Sequence, residues 1–253
     1  MSSSLSKMLG ILDLFAEETP VWSADAICER LGFSTSSGYR YIRELCDAGL
    51  LTRMTGGAYA LGARIIELEF VMQRADPVAR VGRPVLKQLT AATGCDALLS
   101  NFHGTHVINI LHERGVEDLQ VTYTRGRQHP LFKGAVAKAI LPHLRRPQLV
   151  RIYERNQQAI SEAGMGDTWL EFWRHLQAIK RRGFSESHGE LDPQLSGLGV
   201  PVFANDGILG SLSLAYTHAR AKLLNRDGLV EQMQIASRQL TEAIEASYQS
   251  PSH

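Results

Sequence analysis

Ser34-Thr35-Ser36-Ser37-Gly38-Tyr39-Arg40-Tyr41-Ile42-Arg43-Glu44-Leu45-Cys46-Asp47 reads as a helix whose two faces do different work. Ser34 is a favoured N-cap, and Ile42, Leu45 and Cys46 form an inward stripe. Ser36, Arg40, Arg43 and Asp47 recur every three or four residues on the opposite face. Upstream, Leu5, Met8, Leu9, Leu12 and Phe15 fall at helical spacing. Ser23 caps a second short helix carrying Ile27 and Leu31, and Gly32 is placed to end it in the left-handed conformation. Downstream, Gly49 closes the quoted helix, and Leu50 to Leu61 forms two extended runs around Gly56-Gly57, a hairpin signal. Helix, helix, turn, helix and hairpin is the order of a winged helix-turn-helix.

The remainder has a different character. Gly62 to Gln73 reads as a linker helix, and Asp76-Pro77 starts a longer one ending at Gly94. Strands are expected at 97–102 and 107–111, and Leu119, Val121 and Tyr123 alternate. Helices follow over 131–144, from Gln148, and over 168–182, the last with Trp169, Phe172, Trp173, Leu176 and Ile179 on one face. Strands at 199–203 and 207–216 flank Asn205-Asp206-Gly207, and a closing helix holds Met233, Ala236, Leu240 and Ile244 in register. The expected fold class is α+β, an antiparallel sheet flanked by helices behind the winged module. The expected divisions are 1–61 for DNA binding, 62–76 for the linker helix and 77–253 for the second domain.

The 253 residues are 44% hydrophobic and 21% charged, with 27 Lys and Arg against 26 Asp and Glu, which excludes a disordered tail. Cys28, Cys46 and Cys95 are odd in number and widely spaced, which fits reduced thiols. There is no apolar run of membrane-spanning length, and Met1 to Lys7 does not resemble a signal peptide, so a cytoplasmic location and no membrane partner are expected.

Near-neutrality argues against nucleic acid only if charge is evenly spread. Residues 1–75 hold seven cations against nine carboxylates, yet within 32–64 Arg40, Arg43, Arg53 and Arg64 face only Glu44 and Asp47. The surplus lies on the helix and hairpin. A helix fits the major groove with its N-terminal half toward the bases, and hydroxyls and guanidinium groups bind phosphate and guanine. Ser34, Thr35, Ser36, Ser37, Tyr39, Arg40 and Arg43 supply that chemistry, and Arg53 puts a cation beside the hairpin tip. So few cations neutralise few phosphates, which makes dimerisation on a palindrome close to a requirement. Ile65, Leu68 and Val71 or Met72 of the linker helix offer a surface for it.

These residues resemble the IclR family of bacterial transcriptional regulators. Ser4-Leu5-Ser6-Lys7-Met8-Leu9-Gly10-Ile11-Leu12 is similar to the family's opening pattern. Gly32 to Ile42 resembles its helix-turn-helix, and Gly56 to Gly62 its wing. In the second domain Arg181-Arg182-Gly183-Phe184, Gly189-Glu190-Leu191-Asp192-Pro193 and Ser196 to Phe203 resemble further signatures. The resemblance runs from about Ser4 to Ser247 in order. Thr35 stands where the family commonly has a basic residue, and Gly38 where it has a larger apolar one, at a cost of roughly 1 kcal/mol of helix propensity against Ala. Gly38 is compatible with a close backbone approach or with a helix that settles only on DNA.

The resemblance implies a GAF-like C-terminal domain that binds a small metabolite, often a carboxylate, in a pocket on one face of its sheet. It carries that pocket onto Leu131, Gly134, Ser187, Leu195, Gly197, Leu212 and Ser213. Gly134 and Ala135 also leave room for an anion at a helix start. Residues 124–155 hold eight cations against Glu154 alone, and Arg127 and His129, leading into Gly134, are the members placed to face a ligand. Ordinary solvated helix faces would give the same run.

No H-E-x-x-H, G-x-S-x-G or Walker loop is present. His103, His106 and His112 with Cys95 are types that suit zinc, but exposed loop histidines account for them equally. No catalytic residue, metal or cofactor is assigned. Glu190 and Asp192 lie too close together in a loop for acid and base roles. The expectation is a ligand-responsive regulator, a homodimer or dimer of dimers, with palindromic operator DNA and a small-molecule effector as partners. The alternative is a metabolite-binding protein or metal-dependent enzyme whose first domain serves only for association.

Overall fold

The computed structural model describes residues 3–117, 119, 125–205 and 207–249. The chain forms two compact units, Met1–Asp76 and Pro77–His253. In the first, α1 (Ser4–Leu9), α2 (Ala24–Leu31) and α3 (Thr35–Asp47) enclose a core of Ile11, Ile27, Ile42, Leu45 and Leu51. Ser23 and Ser34 cap α2 and α3 with their hydroxyls, and Gly32 ends α2 at φ 66°, as the sequence leads one to expect. The wing pairs β2 (Leu51–Arg53) with β3 (Ala58–Leu61) in antiparallel register. A two-residue strand, β1 (Trp22–Ser23), joins β3 on its other edge and is too short to show in any periodicity. α4 (Ala63–Ala75) follows and has no buried residue.

Gly38 has a packing reason. It is buried where α3 crosses α2, and a Cβ there would lie 2.1 Å from Cys28 Sγ. The close approach is therefore to a neighbouring side chain, and α3 is a complete helix without DNA. Gly38→Ala should destabilise the module by about 1–3 kcal/mol, since overpacking outweighs the gain in helix propensity. Adding Cys28→Ala should return most of that loss in denaturant melts of the full chain. Equal stability of Gly38→Ala and the wild type would contradict the packing account.

The second unit is built on a six-stranded antiparallel sheet. Its strands are β4 (Asp96–His103), β5 (His106–Glu113), β6 (Gln128–His129), β7 (Ser185–His188), β8 (Leu195–Ala204) and β9 (Gly207–Thr217), ordered β6-β5-β4-β9-β8-β7. α5 (Pro77–Thr93) and α10 (Arg226–Gln249) cover one face, with Met233 of α10 in the core over Leu99, Leu198, Val200 and Leu212 of the strands. α6 (Ala135–Ile140) lies on the other face, followed by a 3-10 turn, α7 (Arg146–Glu162) and α8 (Trp169–Arg182). Phe172 and Leu176 of α8 pack on Val136 and Ile140 of α6, with Trp169 and Trp173 partly buried beside them. A capping box of Thr168 and Glu171 starts α8.

The helix expected over 131–144 is shorter because Gly134 adopts φ 81° and Pro142 falls within the 3-10 turn. The alternation at Leu119, Val121 and Tyr123 falls, Leu119 apart, outside the described residues. β7 carries Ser185, Glu186, Ser187 and His188, which gave no strand signal.

Candidate nucleic-acid interface and effector pocket

α3 sorts its side chains as its spacing requires. Gly38, Tyr41, Ile42 and Leu45 are buried, whereas Ser34, Thr35, Ser36, Tyr39, Arg40 and Arg43 are exposed and Ser37 is half-buried. The Ser34 hydroxyl accepts from Ser37 N at 3.4 Å and reaches Ser37 Oγ at 3.0 Å, so the cap also gathers the hydroxyls. No acidic residue occupies the first turn, leaving the positive helix end uncompensated. The Arg40 guanidinium lies 5.3 Å from the Tyr41 ring centroid, while Arg43 meets Asp47 at 3.8 Å in full solvent. Tyr39 Oη donates to Asp25 at 3.4 Å. Arg53 stands exposed on β2, opposite Tyr59, next to the turn at Gly56 and Gly57. Arginine and hydroxyl groups thus share one solvated surface, the arrangement a duplex groove needs.

In the second unit α6 seats directly on β8. Ser185 Oγ donates to Ala135 O at 2.6 Å, and a Cβ on Gly199 would lie 2.7 Å from that same oxygen. Beside this seat is a small pocket of about 70 Å³. Leu98, Ala135 and Val136 give it apolar walls, and Gly197, Ser213 and Ala215 come from the sheet. His129 and Ser187 add polar groups, and Glu190, Leu191, Asp192 and Leu195 close one side from a loop. Ser213 is 2% exposed, and its hydroxyl has no hydrogen-bond partner among the described residues. Burial pulls the His129 imidazole down to about 4, so it is neutral near pH 7.

The ionic centre of the pocket wall is Glu190. One carboxylate oxygen accepts from Gly134 N at 2.9 Å and the other from Lys138 Nζ at 2.5 Å. Lys138 is 8% exposed, so its charge is compensated inside the fold. No Lys or Arg is among the described residues lining the pocket. The described residues also contain no group of three or more His, Cys, Asp and Glu able to hold a metal ion.

Two family models account for most of the chain. The IclR helix-turn-helix domain matches residues 4–54, and the C-terminal domain of bacterial IclR transcriptional regulators matches 70–242. The chain belongs to the IclR family. Among curated IclR-type relatives, KipR of Bacillus subtilis is 23% identical over 96% of this chain and 97% of its own. KdgR of Escherichia coli is 23% identical over 94% and 91%. An IclR-type regulator from Silicibacter sp. TM1040 superposes with a TM-score of 0.82 at 21% identity, covering 96% of each chain. An IclR homologue from Microbacterium hydrocarbonoxydans, solved with 4-hydroxybenzoate, gives 0.75 at 17% identity over 96% of this chain and 99% of that one. The curated relatives are named as transcriptional regulators, and this family member is a regulator rather than an enzyme.

Of the effector residues expected from the sequence, His129, Ala135, Ser187, Leu195, Gly197 and Ser213 meet around the pocket. Gly134 adjoins it through its hydrogen bond to Glu190. Three others lie elsewhere. Leu212 is fully buried on the opposite face of the sheet among the α5 and α10 core, because neighbouring strand residues point to opposite sides. Leu131 packs with the α7 and α8 core, and Arg127 is half-exposed and not among the lining residues. Glu190, Leu191 and Asp192 were visible in the sequence only as a signature. Their link to Lys138 spans 52 positions, beyond the reach of any local pattern.

Folded His129 holds its proton less tightly than the ordinary value of 6.5, so the unfolded chain binds more protons between about pH 4 and 6.5. The IclR-family fold should therefore lose stability as pH falls through that window. His143, also lowered to about 4, adds in the same direction. In thermal melts from pH 7 to 4.5, His129→Gln should fall less steeply than the wild type. Parallel profiles would rule out a neutral buried His129.

Proposed function

We propose that this IclR-family regulator reads a palindromic operator as a homodimer, or dimer of dimers, through α3 and the wing, and answers to a small carboxylate-bearing metabolite in the C-terminal pocket. The division into 1–61 as reader, 62–76 as linker helix and 77–253 as sensor goes with this reading, as does a cytoplasmic location where operators are found. No helix among the described residues is long and apolar enough to cross a membrane.

The observation that carries the sensor role is the buried, unpartnered Ser213 hydroxyl in a pocket with apolar walls at Leu98, Ala135 and Val136. A buried polar group normally has a partner, and a ligand supplies one here. The bound 4-hydroxybenzoate of the Microbacterium relative supports an aromatic or aliphatic acid as the class to test. Ligand binding regulates only if the two DNA-binding states differ in affinity for it.

Dimerisation is supported by α4, where Ile66, Phe70, Val71 and Met72 are each more than half exposed. Phe70→Glu with Val71→Glu should shift the protein toward monomer in sedimentation and weaken operator binding with it. A double variant that stays dimeric and binds normally would remove α4 from the interface. The effector reading is tested by a thermal-shift screen of aromatic and aliphatic acids, with hits carried into operator titrations. A hit that stabilises the protein and alters operator affinity is the expected result, and a full screen without one would oppose the sensor role.

A further inference from the structure

A second hollow in the C-terminal unit is much roomier than the effector pocket. It is an open groove of about 480 Å³, within the size range of small-molecule sites, where the end of α8, β8 and α10 come together. Arg181 and Arg182 line it from α8, Pro201 and Phe203 from β8, and Arg238 and Glu242 from α10. Among the described residues it shares no lining residue with the effector pocket. Three cations therefore share the groove with one carboxylate. All three arginines are exposed, and none of them has an ion-pair partner among the described residues. Arg226, at the start of the same α10, instead meets both carboxylate oxygens of Glu186. We propose that this groove binds a small anion carrying several negative charges, on phosphate or carboxylate groups, at a site separate from the effector pocket. The proposal stands apart from the reading of the effector pocket, and its failure leaves that reading untouched.

The walls of the groove are fixed in advance. Ser237 Oγ donates to Pro201 O at 2.5 Å, and Thr241 Oγ1 accepts from Phe203 N at 3.3 Å, so α10 is pinned to β8 along the groove. Gln234 Nε2 donates to Arg182 O at 3.5 Å and holds the end of α8 to α10. These bonds occupy the local hydroxyls and amide, which leaves the guanidinium groups as donors for a ligand. Their planar fork matches phosphate and carboxylate oxygens, and preset walls lower the ordering cost of binding. Neighbouring histidines register the positive field. The His143 and Phe203 ring centroids lie 5.0 Å apart, edge to face, and burial with the help of Lys180 pulls the His143 imidazole down to about 4. His175, two turns before Arg182, is lowered by burial first and then by Lys138 and Arg182. An anion seated among Arg181, Arg182 and Arg238 meets that field without having to displace a partner carboxylate.

The test uses the full-length protein and two probes, sodium pyrophosphate and sodium citrate, each set against sodium chloride at equal ionic strength. Calorimetric titration and thermal melts provide the readouts. At least one probe should bind saturably and raise the melting temperature beyond the chloride control. Arg238→Gln should weaken that binding at least about tenfold, since a charge-assisted contact is lost. Glu242→Gln should tighten it, because the carboxylate lining the groove is removed. Arg40→Ala on α3 and Arg155→Gln on α7 should bind the probe as the wild type does, which separates the groove from the DNA-binding surface and from general charge. Arg181→Gln, exposed at the end of α8, serves in place of Arg238→Gln should that variant fail to fold. The probe that binds more tightly tells whether phosphate or carboxylate is the preferred group. No saturable binding of either probe, or binding that Arg238→Gln and Arg181→Gln leave unchanged, would overturn the proposal. So would an equal loss in Arg40→Ala or Arg155→Gln.

Discussion

Arg40→Ala should lower operator affinity at least about thirtyfold while barely moving the melting temperature. A lost guanidinium contact costs about 1–3 kcal/mol, and a dimer on a palindrome loses it in each half-site. Arg40 is exposed, and its guanidinium contact with the Tyr41 ring is worth about 1 kcal/mol at most at such a site. The protein should therefore stay folded and keep its ligand affinity. Arg30→Ala on α2 serves as a control for loss of a positive charge from the same module. Should Arg30→Ala weaken binding as much as Arg40→Ala, the effect would be general charge, and α3 would lose its place as the reading element.

The second large effect is expected at Gly199. A Cβ there would meet the Ala135 carbonyl at 2.7 Å and its carbon at 3.1 Å, both backbone atoms at the start of α6. Backbone cannot swing aside as a side-chain tip does, so the helix must lift from the sheet. Gly199→Val should cost about 3 kcal/mol or more, at the upper end for overpacking, and abolish ligand-induced stabilisation. Gly199→Ala should show the same in smaller measure. Trp169 and Trp173, in the cluster that packs on α6, offer the fluorescence readout. A Val variant with wild-type stability and ligand response would show that α6 has another seat available.

How much of this could be read from residues alone varied with the range of the interaction. α3 was legible from Ser34 to Asp47 because its cap, its apolar stripe and its polar face are all local. The wing was legible from Gly56-Gly57, and α8 from its stripe of Trp169, Phe172, Trp173, Leu176 and Ile179. Gly38 was visible as an oddity, but its cause, Cys28 on α2, required knowing how two helices cross. The pocket was half legible. Ser213 and Leu212 are adjacent in sequence and were expected together, yet strand alternation sends one to the pocket and the other to the core. Lys138 counted as one more cation in a basic run until the fold placed Glu190 against it. Long-range pairing of charges is what composition hides, and here it replaces the expected cationic surface with a pocket wall whose described lining includes no Lys or Arg.

The central claim, that α3 and the wing give this regulator sequence-dependent hold on DNA, has one direct measurement. Wild-type protein is titrated against its own upstream DNA and against a scrambled duplex of equal length and composition, at several salt concentrations. The account predicts preference for the natural sequence at every salt, with affinity falling along a log–log slope that reflects several phosphates per dimer. Equal affinity for the two duplexes, or no binding to either at low salt, would contradict it.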